Sequence, residues 1–501
     1  MAQQAEDYNR FLNLCDTVTH YNFFMKTTPP SPKISLRWFL VFGSLFLFMC
    51  QAASPQNFLP SSGFEADSTA VDEPQDEVVE NVELSIPAVD QIAFMGTDRN
   101  LYVINPDGSG EVALTDNANF EGDNGFITYY RLPVWSPDSE KIAYWNLSHN
   151  MVAGTSQTTM YVHRLADDDV TNVFSSSNNF PIYASWSPDS TKISFIANST
   201  GEENVEFGVI GRARGLASPM KQMADLDFIV VDVEGSDAPQ YIDIGAPYYW
   251  QWSPTGDGLL THVNGSSITN DQARIALMQQ DGTRDQLSGL MAGSFRAPSW
   301  SPDGLQILVA VDDMSNNEST LVLTDLQGNI QQKLANYSFS VAFTWSPTGE
   351  WIAYIESLSF GQETVGALVL VNPSDPDDVI TLKYENVMSY FWSPDGSKLA
   401  YFSIERDGDR SSRSFDFLVN VYDLETRETM TYEFVPTEPL FEVIPYFDQY
   451  HHSATIWSPD STKIVVPARV DGQAVIQVLD TTNGFEPETI ANGLIAFWSW
   501  R

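Results

Sequence analysis

Two arginines occupy matched places in the chain. Arg131 in RLPVW and Arg296 in RAPSW each stand four residues before a tryptophan. A guanidinium is a rigid fork of donors that grips a carboxylate with paired hydrogen bonds. Such cations stand out in a chain of 501 residues with 66 Asp+Glu, 25 Lys+Arg and a formal net charge of −41. Aromatic and imidazole residues hold comparable positions before other tryptophans: Tyr130, Tyr183, Tyr248, Tyr249, Tyr390 and the adjacent His451 and His452. Tyr and Arg are enriched at binding hot spots. These nine residues are expected at a funnel mouth, where the arginines would receive a carboxylate from a peptide or a sugar acid. Many of the tyrosines would also fill the inner core.

Other chemistries find less support. His451 and His452 are read as the start of a strand, where neighbours point to opposite faces and do not share a metal. Carboxylates cluster at Asp167–Asp169, at Asp225 and Asp227, at Asp312 and Asp313, and from Glu405 to Asp409. With backbone carbonyls such groups suit Ca2+, yet none completes a calcium-binding loop. No G-x-S-x-G nucleophile elbow occurs. The expectation is therefore no catalytic residue, no metal ligand set and no cofactor, with Ca2+ the one ion the carboxylates suggest. The charge excludes nucleic acid, which needs cationic patches.

The elements that would position these residues come from an internal repeat. VWSPDS, SWSPDS, QWSPTG, SWSPDG, TWSPTG, FWSPDG and IWSPDS carry Trp135, Trp186, Trp252, Trp300, Trp345, Trp392 and Trp457, and AFWSW carries Trp498. The spacings are 51, 66, 48, 45, 47, 65 and 41 residues. A strand-rich period near this length marks propeller blades. Each unit reads as a Trp-bearing strand, a Ser-Pro-containing turn, and strands such as KIAYW, FIVVDV and VITLKY. Gly256, Gly304, Gly349 and Gly396 end the turn, and Ser139, Ser190 and Ser461 replace glycine there at a modest cost in strain. The tryptophans are read as structural wedges between units. Residues 91–115 hold the later three strands of a unit without its Trp strand, and residues 494–500 supply a Trp strand and stop. The expected fold is an all-β propeller of eight four-stranded blades, closed by the C-terminal strand joining the N-terminal blade.

The repeat resembles the WSPDG repeat of TolB-like β-propellers, over essentially all of 91–501. Such proteins belong to the cell envelope, and similar repeats form the non-catalytic propeller of dipeptidyl-peptidase-like enzymes. The resemblance implies an exported, envelope-side interaction module. TolB proteins carry an α/β domain before a six-bladed propeller. Here an acidic tether stands in that place, and the expected blade count differs.

The N-terminal region, 1–53, reads as an export signal or membrane anchor. WFLVFGSLFLFMC (38–50) follows Lys33 and Arg37 and precedes small residues. Cleaved secretion, lipidation at Cys50 and an uncleaved anchor remain three readings, and Met25 is a plausible true start. Residues 54–90 form the tether, one-signed in charge and interrupted by prolines. Insertions at 199–227 and 437–450 are long loops of the kind that carry recognition. The functional expectation is a non-catalytic exported propeller. It would bind an envelope protein, peptide or glycan at its funnel face and meet the membrane only through the N-terminal segment. The alternative is a glycan lyase or hydrolase with its site in the funnel.

Overall fold

The computed structural model describes residues 90–501 except 123–124, 200–225, 247, 266–271, 288–289, 291–292, 294–295, 314–317, 358–364 and 407–414. The signal region with Cys50, the tether up to residue 89, Asp225 and most of the 199–227 insertion lie outside the described residues.

Each repeat turn is built as its residues require. Proline presets φ, and the residue two positions later adopts the left-handed conformation. Its φ is 75° at Gly256, 72° at Gly304, 76° at Gly349 and 71° at Gly396. Serine takes the same conformation, at 61° for Ser139, 60° for Ser190 and 61° for Ser461. The structure adds a compensation that the turn chemistry alone does not contain. Each of these serine hydroxyls accepts a hydrogen bond from the preceding unit's turn or terminal segment. Asp138 N donates to Ser190 Oγ (3.1 Å), Asp395 N to Ser461 Oγ (3.1 Å) and Arg501 N to Ser139 Oγ (3.0 Å). A glycine has no oxygen to offer there.

The strands join into antiparallel sheets in simple up-and-down order. Asn179–Trp186, Lys192–Ser199, Leu226–Asp232 and Gln240–Gly245 form one such sheet, and the Trp252 and Trp300 units form two more. The strand Asp375–Trp392 is continuous through 18 residues. Its first half is the outer strand of the Trp345 unit, and its second half is the inner strand of the Trp392 unit. Two units thereby share one seven-stranded sheet. Asn386, at φ 65°, marks the change of register between the halves.

The inner strands are less regular than the repeat suggests. In the Trp135 unit the strand is broken into Phe126–Tyr130 and Val134–Trp135, both pairing with Lys141–Asn150. In the Trp300 unit it is reduced to Ser299–Trp300. Both units carry proline two residues before the tryptophan, Pro133 and Pro298. Proline cannot donate to the ladder. Trp457 makes only an isolated bridge to Ile464.

The terminal segments pair with each other. Gly493–Trp498 lies antiparallel to Ile92–Gly96, with Ile92 opposite Trp498 and Met95 opposite Ile495. The resulting sheet has four strands, completed by Leu101–Ile104 and Val112–Ala113. Asp90 N donates to the Arg501 carbonyl at 2.9 Å, and the Trp498 indole donates to Asp90 Oδ1 at 2.7 Å.

Tryptophans then join unit to unit. Trp135 Nε1 donates to Phe497 O (3.1 Å), Trp186 Nε1 to Val134 O (3.0 Å) and Trp457 Nε1 to Phe391 O (3.0 Å). In each case the acceptor is the residue just before the previous unit's tryptophan. Trp252 uses Ser194 Oγ of the preceding sheet instead, at 2.9 Å. Large aromatics fill the space between sheets, as where Trp145, Phe174 and Phe195 meet edge to face.

Ile495, Ala496, Phe497 and Trp498 are all at most 3% exposed. Burying them contributes on the order of 5 kcal/mol or more, a large share of ordinary net stability. Removing residues 494–501 is expected to lower the melting midpoint by at least about 5 °C. An unchanged midpoint in a thermal melt would show that the terminal pairing carries no stability.

Candidate functional site

The inner strands all run toward their tryptophans in the same sense. The segments four to two residues upstream of each tryptophan meet one feature, the 437–450 insertion. It folds into two short helical turns, α1 (Leu440–Val443) and α2 (Phe447–Tyr450), with a 3-10 turn at Ile444–Tyr446 between them. Leu440, Val443, Ile444 and Phe447 are each at most 4% exposed. Burial of this apolar side explains why so short a segment is ordered.

The insertion is held polar group by polar group. Gln449 pairs with the backbone of Trp250 in both directions. Trp250 N donates to Gln449 Oε1 (3.0 Å), and Gln449 Nε2 donates to Trp250 O (2.7 Å). Tyr183 donates its hydroxyl to Gln449 O at 2.8 Å and accepts from Ser453 Oγ at 3.1 Å. Ala297 N donates to Asp448 Oδ2 at 3.0 Å. Phe447 packs on Tyr390 and Tyr450 on Tyr183, with centroids 4.7 and 4.6 Å apart.

Both matched arginines reach this insertion. Arg131 Nη2 meets Glu442 Oε2 at 2.7 Å, in a half-exposed pair. Arg296 Nη1 donates to Pro445 O at 3.3 Å and faces Asp448 Oδ1 at 3.9 Å, both side chains being at most 4% exposed. The carboxylates that the arginines meet thus belong to the chain itself. Burial raises the Asp448 carboxyl above the usual range, and the Arg296 charge opposes that rise. Breaking such a buried pair is costly because one charge is left uncompensated.

The other sequence-selected residues divide. Tyr183 and Tyr390 join the arginines around the insertion. Tyr130 is buried and donates to Asn117 Oδ1 at 2.5 Å. Tyr248 donates to Asp243 Oδ2 at 2.9 Å, whereas Tyr249 is buried toward Arg296 and Asp448 and so joins the insertion. His451 and His452 differ from the strand reading. They sit in the turn after α2, and their rings lie together at 3.6 Å between centroids. Successive residues in a helical turn are not forced to opposite faces as strand neighbours are. Burial holds the His451 imidazole down to about 4 and pushes His452 further below its ordinary value. Gln449, Asp448 and Glu442 are the site residues that sequence reasoning did not select. Their insertion was flagged only by its length.

The carboxylate clusters are occupied by neighbours. Arg164 faces Asp167 at 3.2 Å, Asp169 at 3.8 Å and Glu234 at 3.3 Å, and His163 Nε2 meets Asp168 Oδ1 at 2.7 Å. Asp227 accepts from Asn179 Nδ2 at 3.0 Å, and Asp312 from Ser319 Oγ at 2.8 Å. Among the described residues no three His, Cys, Asp or Glu side chains are grouped as a metal would need. Asp407 and Asp409 lie outside the described residues.

Beyond the histidines, on the side of the repeat turns, lies a cavity of about 250 Å3. Its walls include Trp300, Trp345, Trp392, Trp457 and Trp500, with His451 and His452 among its lining residues. Pro254, Pro302, Pro347 and Pro394 also line it and are exposed, so it opens on the turn face.

The geometry defines a class: an all-β repeat protein of propeller type, with the 437–450 insertion packed at one end of its sheets and an aromatic cavity on the side of the turns. No family model and no curated protein matches the sequence. Solved structures of β-propeller proteins are similar to it. TolB from Acinetobacter baumannii is 14% identical, with 69% of this chain and 79% of that chain covered and a TM-score of 0.33. Oligogalacturonate lyase from Vibrio parahaemolyticus is 13% identical, with 80% and 94% covered and a TM-score of 0.42. The β-propeller domain of the Trilobed protease from Pyrococcus furiosus is 12% identical, with 73% and 86% covered and a TM-score of 0.34. No helix among the described residues is long and apolar enough to cross a membrane.

Replacing Gln449 with Ala leaves both backbone groups of Trp250 buried and unpaired. The expected cost is about 2–4 kcal/mol by chemical denaturation, with new protease cleavage within 437–453. An unchanged midpoint with no cleavage would show that Gln449 does not hold the insertion.

His262 supplies a pH dependence. It is 2% exposed, and its Nδ1–H donates to the Arg296 carbonyl at 2.9 Å. Burial holds it down to about 4 against an ordinary 6.5, and the carbonyl opposes this. The unfolded chain therefore binds the proton first. Stability from this group is complete above pH ~6.5 and is lost as pH falls toward ~4, by about 3 kcal/mol at most. His262→Gln is expected to flatten denaturation midpoints over this window relative to the parent. Parallel curves would remove His262 as the source.

Proposed function

We propose that the chain is an exported, non-catalytic β-propeller that binds an envelope protein, peptide or glycan on the face carrying the 437–450 insertion. We read its sheets as eight four-stranded blades. The seven-stranded sheet counts as two, the three-stranded Lys463–Val470 sheet is completed by the Trp457 segment, and Gly493–Trp498 completes the blade begun at Ile92–Gly96. The link from Trp135 to Phe497 supports closure of these blades into a ring.

One observation carries the binding reading. Arg131, Tyr183, Arg296 and Tyr390 are engaged by the insertion, which supports a surface for a macromolecular partner over a site of free acids and bases. Several sheets expose an apolar residue at this end. Phe126 lies at the start of an inner strand, Ile182 within the first half of another, Phe339 just before a third, Val152 and Val470 at hairpin tips, and Phe441 on α1. In antiparallel up-and-down sheets these positions share one end. Apolar groups on a rigid face, rimmed by charge, suit a macromolecular partner. Export is supported by the basic, apolar and small-residue order of residues 33–53.

A substituted chain, Val152→Asp, changes a side chain that is 89% exposed. It is expected to keep its melting midpoint and to lose about tenfold of its capture of a partner from envelope extracts. Equal capture by parent and variant would overturn the assignment of this face.

A further inference from the structure

The turn-face cavity offers a surface of unusual kind for this protein. Among the described residues no Asp, Glu, Lys or Arg lines it, although the chain carries a net charge of −41. Its walls include five indole rings, two of whose N–H groups are bonded to backbone carbonyls. Trp457 donates to Phe391 O at 3.0 Å and Trp500 to Trp135 O at 3.3 Å. The indole nitrogens of Trp300, Trp345 and Trp392 are sealed from solvent and have no hydrogen-bond partner among the described residues. Of the five indoles that border the cavity, two thus have a bonded N–H and three a sealed one.

Most of the remaining polar lining is also committed, although Nε2 of the lining His452 is buried without a partner among the described residues. Gln251 Oε1 accepts from Trp300 N at 2.7 Å, Ser301 Oγ donates to Asp303 at 2.5 Å, and Thr455 Oγ1 donates to the Trp498 carbonyl. A neutral sugar or an anion would need donors, and few are free. Indole carbon surface instead carries the negative face of the ring quadrupole, which attracts cations, and cages of such rings hold quaternary ammonium groups.

The rim adds a field of the matching sign. Asp303 and Asp395 directly follow rim prolines, and Asp257 and Glu350 follow two others by three residues; all four are exposed. The Ser301 hydroxyl and the Leu305 N–H keep the Asp303 carboxyl low, and the Ser253 and Thr255 hydroxyls do the same for Asp257. Both stay ionised at neutral pH. The neighbouring cation Lys398 is turned to Ser461 O at 3.3 Å. A ring of carboxylates around an uncharged aromatic well concentrates cations at its mouth.

We propose that this cavity binds a quaternary ammonium group, carried by a free organic cation or by a lipid headgroup. The site lies at the opposite end of the blades from the partner face, so its success or failure is independent of that reading. A cavity of about 250 Å3 has room for such a group.

The test uses the full-length chain, with choline and its uncharged isostere 3,3-dimethylbutan-1-ol as probes in calorimetry and saturation-transfer NMR. Choline is expected to bind about tenfold or more tightly than the isostere, to be displaced by tetramethylammonium, and to weaken in about 0.5 M salt. Trp345→Leu and Trp392→Leu should each weaken choline several-fold without shifting the isostere in the same proportion. Sedimentation with phosphatidylcholine vesicles identifies a headgroup as the source. Choline binding without vesicle capture identifies a free cation. Equal affinity for choline and its isostere would reduce the site to an apolar well and overturn the proposal, as would absence of choline binding. The isostere and salt comparisons need no variant, so they decide the matter even if a tryptophan substitution unfolds the chain.

Discussion

The structure depends on how one repeat holds the next. A single four-stranded sheet has two apolar faces and cannot bury both alone. The tryptophan ending each inner strand addresses this by reaching the neighbouring unit. Where its indole N–H finds the carbonyl before the previous tryptophan, as at Trp135, Trp186 and Trp457, the link is directional as well as apolar. The serines at the turn corners add a second tie of the same kind, from Ser139, Ser190 and Ser461 to the preceding segment. A left-handed serine is less comfortable than glycine, and the hydrogen bond offsets that strain.

The inner strands leave backbone groups and long side chains facing the 437–450 insertion. The chain meets them with its own residues. Gln449 satisfies Trp250, Asp448 satisfies Ala297, and Glu442 answers Arg131. The buried Asp448 and Arg296 would each be unfavourable alone and are tolerable together. The two ends of the propeller consequently differ. One carries the packed insertion and exposed apolar groups, and the other is an open aromatic well with an acidic rim.

The net charge of −41 takes on a more definite meaning in this arrangement. Many acids are engaged locally, as Asp303 is by Ser301 and Asp167 by Arg164. Others project from the turns, where they favour solubility and bias the potential at the cavity mouth.

The repeat, the turn conformation and the complementary terminal strands are legible along the chain. All three follow from local chemistry: proline fixes φ, glycine and serine accept the left-handed corner, and a lone Trp strand needs three partners. The sequence also located the strands around KIAYW and FIVVDV, because alternation and turn residues act within a few positions. The role of the funnel residues was decided only by tertiary structure. Arg131 and Glu442 are 311 residues apart and Arg296 and Asp448 are 152 apart, so no local pattern couples them. His451 and His452 looked like the start of a strand until the packed insertion turned them into a helical corner. Which indole N–H groups meet a carbonyl, and which are sealed around a cavity, depends on the spacing of neighbouring sheets. That spacing arises from the assembled blades and has no counterpart along the chain.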